Sequence, residues 1–428
     1  MGPRVSVIIA TYNWSGALAC ALRSVLAQTE QDFEVRVVGD ACTDDSAQVV
    51  AAFRDPRLIW TNLDRNCGSQ WGPNNHGLSA ARGEWIAYLG HDDLWAPEHL
   101  QSVIAAAEAA GTDTGVGGMV LYGPPGEGIA SVAGVPGPEG WSDDDFTPPS
   151  GMVHRHALVD RIGPWKDATA LREPVDNDFF RRARAAGGVA ANRAFTVFKF
   201  TAAMRRNAYQ LRSTAEQEAQ LFRLTADGPA LAAELADLYV QAQAGVFPRV
   251  KMRDAAGLAP GDIHRWNRLF KGVDPRFAEG EIREATQPLR FSLDTQPANR
   301  EWTVDEEMAP WGLFRWTGPT LRSVIELPIR PDRPLAFTVH ILGAVPPDWR
   351  ETLAFEVHGR PTPHALSSTD QGTWMLTATA PARPAGEGPP YLQIAIAGVR
   401  AARPADIGLH KDTRRLGVAV NWVEVAPA

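Results

Sequence analysis

The first hundred residues alternate between apolar runs and amphipathic stretches, and this alternation constrains the fold more than any other feature. Residues 5–10 form a continuous apolar run, which is typical of a strand covered on both faces. Residues 17–26 place their apolar side chains on one helical stripe. Further strand patterns at 33–38, 58–62 and 85–89 alternate with helical ones. Such alternation with short connections predicts an α/β fold with a doubly wound, mostly parallel sheet.

The remaining sequence changes character twice. After the α/β pattern, residues 211–285 look mainly helical, and from residue 286 short alternating runs are separated by turn residues and proline. Several short strands at this spacing predict a β-sandwich. A chain of 428 residues is long for a single core. We therefore expect a sheet domain at 1–210, a helical extension at 211–285 and an accessory β-sandwich domain at 286–428.

Charge and cysteine content narrow the class of protein. The formal charge of −8, without any block of lysine and arginine, argues against a nucleic-acid binder that neutralises phosphates. No apolar run reaches the roughly 18 residues that a membrane-spanning helix needs. Three cysteines without a C-x-x-C pair fit neither a disulfide framework nor a thiolate metal site. We expect a cytoplasmic protein without a transmembrane segment.

Four polar clusters follow the predicted strands, at residues 10–13, 39–46, 66–77 and 90–93. Ligands of doubly wound sheets bind beyond the carboxyl ends of the strands, so these clusters are candidate site residues. Asp92 and Asp93 are the sharpest local signal, because hard divalent cations prefer carboxylate oxygens and share them with substrate phosphates. The alternative is that the two acids open the helix that follows.

Taken together, these stretches resemble the family-two nucleotide-diphospho-sugar glycosyltransferases, which have the GT-A fold. The matching stretches are 5–13, 37–46, 66–83 and 83–93, and the resemblance extends over residues 4–200. It implies an inverting enzyme that transfers a sugar from a nucleotide-diphosphate sugar, UDP-linked by expectation, to a hydroxyl acceptor. The biological setting that it implies is the synthesis of bacterial surface polysaccharide or another glycan.

The resemblance assigns nucleotide-binding roles residue by residue. Thr11 and Tyr12 stand where the family wraps the nucleobase, with Asn13 next to them. Asp40 matches the second acid of the family's Asp-Asp turn, and an acid there can accept a hydrogen bond from a uracil imide nitrogen. Asn75 lies in the stretch that takes the position of the family's Ala-Arg-Asn motif, although the arginine is missing here.

The resemblance also implies a metal site. Asp92 matches the metal-binding end of the family's Asp-x-Asp motif, and Asp93 follows it, so both are predicted to bind Mn²⁺ or Mg²⁺ and the donor. The chain departs from the family at two glycines. Gly39 replaces the first acid of the Asp-Asp turn, and Gly90 replaces the first acid of Asp-x-Asp.

A second acidic cluster contains Glu173, Asp176 and Asp178 and precedes a predicted helix that ends at Gly187. Inverting transfer needs one base that deprotonates the acceptor hydroxyl. Asp176 lies as far before Gly187 as the family's base lies before its helix-ending glycine, so it is the predicted catalytic base. Asp178 and Glu173 are reserve candidates. The alternative is that Asp176 and Asn177 merely cap the helix.

Two functional hypotheses follow. In the first, the chain is an active, metal-dependent glycosyltransferase whose acceptor is a glycan or a lipid-linked glycan, and which works in the cytoplasm, including peripherally at the inner face of the membrane. In the second, it is a catalytically degenerate sugar-nucleotide fold that acts as a carbohydrate-binding or scaffold protein. The departures at Gly39 and Gly90 favour the second, whereas the retained Asp40, Asp92 and Asp176 favour the first.

Overall fold

The structure is a computed structural model of the chain. It describes residues 2–123, 125, 128–137, 140–142, 144–202, 205–251, 259–274, 277, 279–293, 306–308, 310–318, 322–384, 387–404, 407 and 416–428. The chain divides into two compact units, Met1–Asp274 and Pro275–Ala428, which we call the N-terminal and C-terminal units. The three-part division expected from the sequence stays a prediction.

The N-terminal unit is built around one nine-stranded sheet. Its strands are β1 Val5–Thr11, β2 Phe33–Gly39, β3 Leu58–Asn62, β4 Trp85–Tyr88, β5 Leu94–Trp95, β6 Thr114–Tyr122, β7 Ile129–Ala133, β8 Met152–Arg155 and β9 Val189–Lys199. They are ordered β3-β2-β1-β4-β8-β6-β9-β5, with β7 paired to β6. The pairs β1–β2, β1–β4 and β2–β3 are parallel. Beyond β4 the sheet is mixed, because β8 runs antiparallel to β4 and β6 while β9 runs parallel to β6. The mostly parallel sheet expected from the sequence is therefore observed only in the part formed by β1 to β4.

Helices cover both faces of this sheet, which confirms the predicted α/β class. They are α1 Ser15–Leu26, α2 Ser46–Ala52, α3 Trp71–Ala80, α4 His99–Ala110, α5 Leu158–Ile162, α6 Val175–Gly187, α7 Ala208–Leu211, α8 Ala215–Ala226, α9 Gly228–Gln243 and α10 Asp262–Lys271. Alternate residues of β1 enter different cores: Val7 and Ile9 pack in the core that contains Leu18 of α1, whereas Ile8 packs in the core that contains Leu78 of α3. This explains why β1 is apolar on both faces.

The register of the parallel strands brings three of the polar clusters to one edge of the sheet. Thr11 at the end of β1 pairs with Gly39 at the end of β2, and Ile8 pairs with Tyr88 at the end of β4. The chain therefore leaves β1, β2 and β4 on the same side. This edge, formed by residues 11–14, 40–46 and 89–93, is called the strand-end site below.

In its described residues, the C-terminal unit contains two antiparallel sheets, one short α-helix and a 3-10 helix at Glu279–Glu281. Its elements are β10 Leu289–Ser292, β11 Glu306–Met308, β12 Gly312–Trp316, β13 Arg322–Leu327, β14 Leu335–Ala344, α11 Trp349–Thr352, β15 Ala354–Val357, β16 Arg360–Pro361, β17 His364–Ser368, β18 Trp374–Ala380, β19 Leu392–Ala397 and β20 Val418–Pro427. One sheet is ordered β11-β12-β20-β14-β18-β17 with β10 on β20, and the other is ordered β13-β19-β15-β16.

One apolar core joins the two sheets of this unit. Phe337 of β14 and Phe355 of β15 meet in it with ring centroids 5.5 Å apart. The predicted β-sandwich is thus confirmed as an architecture. In the described part of the chain, no helix combines the length and the apolar character that crossing a bilayer requires.

Candidate active site

Asn13 shapes the loop that follows β2. Its side-chain Oδ1 accepts hydrogen bonds from the backbone N–H groups of Thr43 (2.7 Å) and Asp44 (3.2 Å). Its own N–H donates to the Cys42 Sγ at 3.4 Å. Asn13 holds this position with a φ of 44°, in the left-handed region that Asn tolerates better than most residues. The side chain therefore fixes the shape of the strand-end site.

Asp40 lies beside Asn13 and fixes a third loop. Its carboxylate accepts hydrogen bonds from the backbone N–H groups of Cys67 (2.6 Å) and Gly68 (3.1 Å). Burial raises the pKa of Asp40, against the lowering effect of these two hydrogen bonds. Each carboxylate oxygen can accept more than one hydrogen bond, so Asp40 keeps capacity to bind a donor group on a ligand.

An aromatic wall stands next to these loops. It consists of Tyr12, Trp14, His91 and Tyr209, with ring centroids between 5.6 and 6.1 Å apart. The Tyr12 N–H donates to His91 Nδ1 at 3.3 Å, and Tyr209 Oη lies 3.4 Å from His91 Nε2. Thr11, just before the wall, has a buried hydroxyl oxygen without a hydrogen-bond partner among the described residues. The edge thus combines flat apolar faces with unused polar capacity.

Asp93 is locked in place by three partners. It is completely buried, and its Oδ2 lies 2.6 Å from Lys199 Nζ. Ser150 Oγ also donates to Oδ2, and the Phe200 N–H donates to Oδ1 at 3.1 Å. These contacts anchor the loop after β4 to the end of β9. Because its oxygens already have these donors, Asp93 acts as a fixed support for the residue before it.

Asp92 is the more available of the two acids. It is 9% exposed, and none of the hydrogen bonds within the described residues ends on its carboxylate from another side chain. Burial alone would raise the pKa of Asp92, but His91, Lys199 and Lys271 together lower it. Asp92 is thus an ionised carboxylate at the strand ends.

Two lysines connect Asp92 with the second acidic cluster. Burial would lower the pKa of Lys199, but the carboxylates of Asp93, Asp92 and Asp176 raise it. Burial lowers the pKa of Lys271, the last residue of α10, against the same pull from Asp92 and Asp176. Both lysines act on both acids, so Asp92 and Asp176 share one electrostatic environment. Lys271 was missed in the sequence, where nothing separates it from a solvated lysine at a helix end.

Helix α10 also reaches the loop beside Asp40. Arg268 Nη1 donates to Asn66 Oδ1 at 3.1 Å, and Asn66 in turn donates to the backbone oxygen of Asp40 at 2.8 Å. Arg268 is itself held by Asp274 at 2.6 Å. The helical stretch after residue 211 therefore contributes to the site through α10.

Asp176 lies in the first turn of α6 and is half-buried. Burial raises its pKa, against the lowering effect of Lys199 and Lys271. The helix begins at Val175 and its capping position is Pro174, so neither Asp176 nor Asn177 is the cap. Asp176 Oδ1 nevertheless accepts a hydrogen bond from the Asn177 N–H at 3.1 Å, so support of the first turn stays an alternative to catalysis. A carboxyl with a raised pKa in a shared site has the properties of a general base.

The other two acids of this cluster are engaged in ion pairs. Asp178 is buried and lies 2.9 Å from Lys166 Nζ and 2.7 Å from Arg182 Nη2. Glu173 is paired with Arg181. Both acids therefore support the fold around α6, whereas the hydrogen bond that Asp176 accepts within the described residues comes from the backbone of Asn177, and Lys199 and Lys271 act on its charge. Among the three candidates, the structure favours Asp176.

Comparison with known proteins agrees with this geometry. Residues 6–134 match the model of glycosyl transferase family 2. The N-terminal unit carries a family 2 glycosyltransferase domain. The matched range contains the strand-end site, from Thr11 to Asp93, while Asp176 lies beyond it.

Three bacterial proteins are similar to parts of this chain. An uncharacterized glycosyltransferase of Nostoc sp. is 33% identical over 177 residues, which are 38% of this chain and 53% of the relative. Succinoglycan biosynthesis protein ExoO of Rhizobium meliloti is 42% identical over 114 residues, 27% of this chain and 32% of the relative. The UDP-Glc:alpha-D-GlcNAc-diphosphoundecaprenol beta-1,3-glucosyltransferase WfaP of Escherichia coli is 32% identical over 100 residues, 23% of this chain and 39% of the relative. The chain thus spans from about a third to about half of their length.

The two glycine departures have a structural explanation in the glycosyltransferase domain. A Cβ at Gly39 would lie 2.4 Å from Asn62 Oδ1 and 2.8 Å from the Trp60 ring, so these side chains fill the space of the missing acid. A Cβ at Gly90 would lie 2.8 Å from Asp93 Oδ2 and 3.1 Å from Asp92 Oδ1. At both positions, other side chains therefore occupy the space that an acidic side chain would need.

Asn75, a predicted nucleotide-binding residue, makes two hydrogen bonds with the backbone of Trp165. Its Oδ1 accepts from the Trp165 N–H at 2.9 Å, and its Nδ2 donates to the Trp165 oxygen at 2.8 Å. This double hydrogen bond joins α3 of the glycosyltransferase domain to the segment before α6. Contact between Asn75 and a nucleotide stays a prediction.

The residues at the strand ends were tested for their fit to a divalent cation. Within the described residues, no group of three or more His, Cys, Asp or Glu side chains is arranged to hold a metal ion. Mg²⁺, however, is usually bound through one or two carboxylates together with substrate phosphates. Asp92 provides one carboxylate of that kind, whereas Asp93 is engaged by Lys199. The site therefore fits a metal that arrives with a diphosphate.

Proposed function

We propose that this chain is a metal-dependent, inverting glycosyltransferase that moves a sugar from a nucleotide-diphosphate donor to a hydroxyl acceptor. The observation that carries the proposal is the shared environment of Asp92 and Asp176, with Lys199 and Lys271 acting on both acids. This arrangement supports the proposal of a diphosphate site next to a base. The setting that we propose is the synthesis of a bacterial surface polysaccharide or another glycan, which agrees with the names of the relatives.

The donor binds at the strand-end site in this proposal. Tyr12 offers a ring face to the nucleobase, and Asp40 accepts a hydrogen bond from the base. A uracil imide N–H can donate that bond, and the E. coli relative is named for a UDP-Glc donor. We therefore propose a UDP-linked donor. Thr11 adds a buried hydroxyl, and Asn13 keeps the loop in shape.

Asp92 would hold Mn²⁺ or Mg²⁺ in this site, with Asp93 positioning it. A bound cation supplies charge neutralisation to the leaving diphosphate. Lys199 and Lys271 add positive charge to the same region. Because of these two lysines the region is not purely acidic, and a purely acidic region would repel the diphosphate.

Asp176 is the proposed base. It removes the proton of the acceptor hydroxyl while the acceptor oxygen forms a bond to the anomeric carbon. The bond between that carbon and the diphosphate oxygen breaks at the same time, and the diphosphate leaves with the electron pair. Attack from the face opposite the leaving group inverts the anomeric configuration. A raised pKa brings Asp176 closer to the working pH, which favours proton transfer.

The acceptor that we propose is a glycan or a lipid-linked glycan. The E. coli relative is named for an acceptor linked to diphosphoundecaprenol. A lipid-linked acceptor would place the enzyme in the cytoplasm at the inner face of the membrane, as a peripheral protein.

The test is a donor screen. The purified chain is incubated with Mn²⁺ and UDP-glucose, UDP-galactose, UDP-N-acetylglucosamine or GDP-mannose, and release of nucleoside diphosphate is measured with and without a bacterial lipid extract as acceptor source. We expect release with a UDP-sugar that depends on the extract. Asp160→Asn on the exposed side of α5 is the control and should match the unmodified chain.

The same set of donors, with the melting temperature measured as well, tests the second candidate, a catalytically degenerate sugar-nucleotide-binding protein. The loss of acids at Gly39 and Gly90 favours that candidate. It predicts that a nucleotide-sugar raises the melting temperature but that no nucleoside diphosphate is released. That combination would reject the proposed transfer reaction.

A further inference from the structure

A group of polar and aromatic side chains covers the outer face of the larger sheet of the C-terminal unit. On β14, Val339 and Ile341 point into the core, so His340 between them points outwards. It is nevertheless only 3% exposed. Trp311 and Trp422 lie over it, with ring centroids 5.3 Å and 5.2 Å from the imidazole. A buried histidine on an outward face means that other side chains have built a second layer there.

A β-bulge in β20 creates this layer. His340 pairs with Trp422 and Ile341 pairs with Val420, so Asn421 is an extra residue opposite β14. The core positions shift accordingly from Val420 to Val423. Asn421 and Trp422 therefore both leave the core side of the sheet. Bulges commonly re-aim side chains in this way at binding sites.

Hydrogen bonds fix the floor of the layer. Asn421 Nδ2 donates to the backbone oxygens of Trp311 (3.2 Å) and Leu313 (2.6 Å), which turns its Oδ1 towards His340 Nδ1 at 2.9 Å. His340 Nδ1 must then carry a proton and donate it, because an amide oxygen only accepts. His340 Nε2 is 2.9 Å from Thr373 Oγ1. The floor is thus preorganised without any ligand.

The rim combines a flat ring with a neutralised charge. The Arg290 guanidinium lies 3.9 Å from the centroid of the Trp422 ring and is paired with Glu424 at 2.9 Å. Trp422 and Met375 are both only partly buried. With the floor, these side chains line a groove of about 720 Å³, a size typical of ligand-binding pockets.

We propose that this groove binds a short stretch of neutral glycan chain. Sugar rings present an apolar face of C–H groups that stacks on indole rings, and an edge of hydroxyls that exchange hydrogen bonds with amides and hydroxyls. Trp311 supplies the first kind of surface, beside Trp422, whose ring is flanked by Arg290 and His340. Gln371 and Thr369 at the rim supply the second. Among the described residues that line the groove, Arg290 carries a formal charge, and its pairing with Glu424 balances that charge, so these residues give no reason to expect an acidic polymer. The proposal concerns binding alone and does not depend on transfer by the N-terminal unit.

The experiment measures binding of oligosaccharides to the full chain without nucleotide or metal. Hexasaccharides of β-1,3-glucan, β-1,4-glucan and β-1,4-mannan are the neutral probes, and an oligoguluronate is the acidic probe. Calorimetry gives the affinity, and quenching of tryptophan fluorescence reports on the site. We expect at least one neutral probe to bind, and Trp422→Ala to weaken it about tenfold, or about 1.4 kcal/mol. Trp422→Phe should restore most of the affinity, because it keeps a flat ring.

Two further variants keep the test decisive if Trp422→Ala unfolds. Gln371→Ala changes an exposed turn residue at the rim, and Met375→Glu puts a charge into the groove. Both should weaken the neutral probe without lowering the melting temperature by more than a few degrees. Arg360→Ala on the other sheet of this unit is the matched control and should bind normally. Binding of none of the neutral probes, preference for the acidic probe, or full affinity in both rim variants would each overturn the proposal.

Discussion

Replacing Asp176 by Asn should separate catalysis from donor binding. The change keeps the size of the side chain but removes its negative charge and its ability to take a proton. Loss of a positioned base typically costs about 10²–10⁴-fold in rate, which corresponds to about 2.7–5.4 kcal/mol of transition-state stabilisation. Nucleotide affinity should stay near that of the unmodified chain, because the donor residues lie at the strand ends and Asp176 acts on the acceptor.

The structure also predicts the pH dependence of this reaction. A base must be deprotonated to work, so kcat/KM should fall as the pH decreases through the pKa of Asp176 in the folded protein. Burial raises that pKa, so the acidic limb should lie above the ordinary aspartate range of about 3.9. The limb should vanish in Asp176→Asn.

The raised pKa of Asp176 also predicts that Asp176→Asn does not lower the stability of the folded protein. A carboxyl whose pKa is higher in the folded than in the unfolded state binds more protons when folded, and its ionised form destabilises the fold at pH values above both pKa values. Asn removes this cost, so the melting temperature at neutral pH should stay equal or rise.

The assay is a comparison of variants under saturating donor and Mn²⁺. Release of nucleoside diphosphate gives the rate, calorimetry gives the nucleotide affinity, and NMR of the product gives the anomeric configuration, which should be β from an α-linked donor. Asp178→Asn serves as the contrast, because it breaks the ion pairs with Lys166 and Arg182 and should lower the melting temperature. Near-normal turnover in Asp176→Asn would refute the assignment of the base, and retention of configuration would refute the single-base mechanism.

Three further predictions concern the metal, the buried ion pair and the extent of the donor site. Chelation or Asp92→Asn should each abolish binding of a nucleoside diphosphate, and equal affinity with and without chelator in calorimetry would contradict the metal site. Lys199→Met leaves the carboxylate of Asp93 buried without its cation and should cost about 3–5 kcal/mol in chemical unfolding, with partial recovery in the double variant Asp93→Asn/Lys199→Met. A truncated protein ending at Asp274 should fold and bind nucleotide as the full chain does, because the donor residues and α10 all precede that point; a folded but non-binding truncation would be the contrary result.

The sequence by itself determined the parts of this protein that depend on local pattern. The apolar runs of β1, β2 and β4 are covered on both faces, and this is visible in their composition. The polar clusters after them necessarily emerge together, because parallel neighbours end at one edge. Thr11, Asp40 and Asp92 could therefore be identified as neighbours without a structure. The alternating apolar and polar runs of the C-terminal unit likewise predicted a sandwich, because alternation is a local pattern of the sequence.

Only the tertiary structure decided which of several similar side chains is available for chemistry. Asp93 and Asp178 look as reactive as Asp92 and Asp176 in the sequence, but Lys199 engages the first and Lys166 engages the second. Ion pairing and burial depend on residues distant in the chain, and no periodicity encodes them.

Two other features were equally inaccessible to the sequence. Lys271 reaches the acids from a helix near the end of its unit, and a single extra residue at Asn421 turns Trp422 outwards over a buried His340. A bulge leaves the alternation of a strand nearly intact on either side, so its effect exists only in the pairing of that strand with its neighbour. The physical reason is the same in both cases: pattern sets the elements, whereas contact between distant elements sets the electrostatics and the shape of each site.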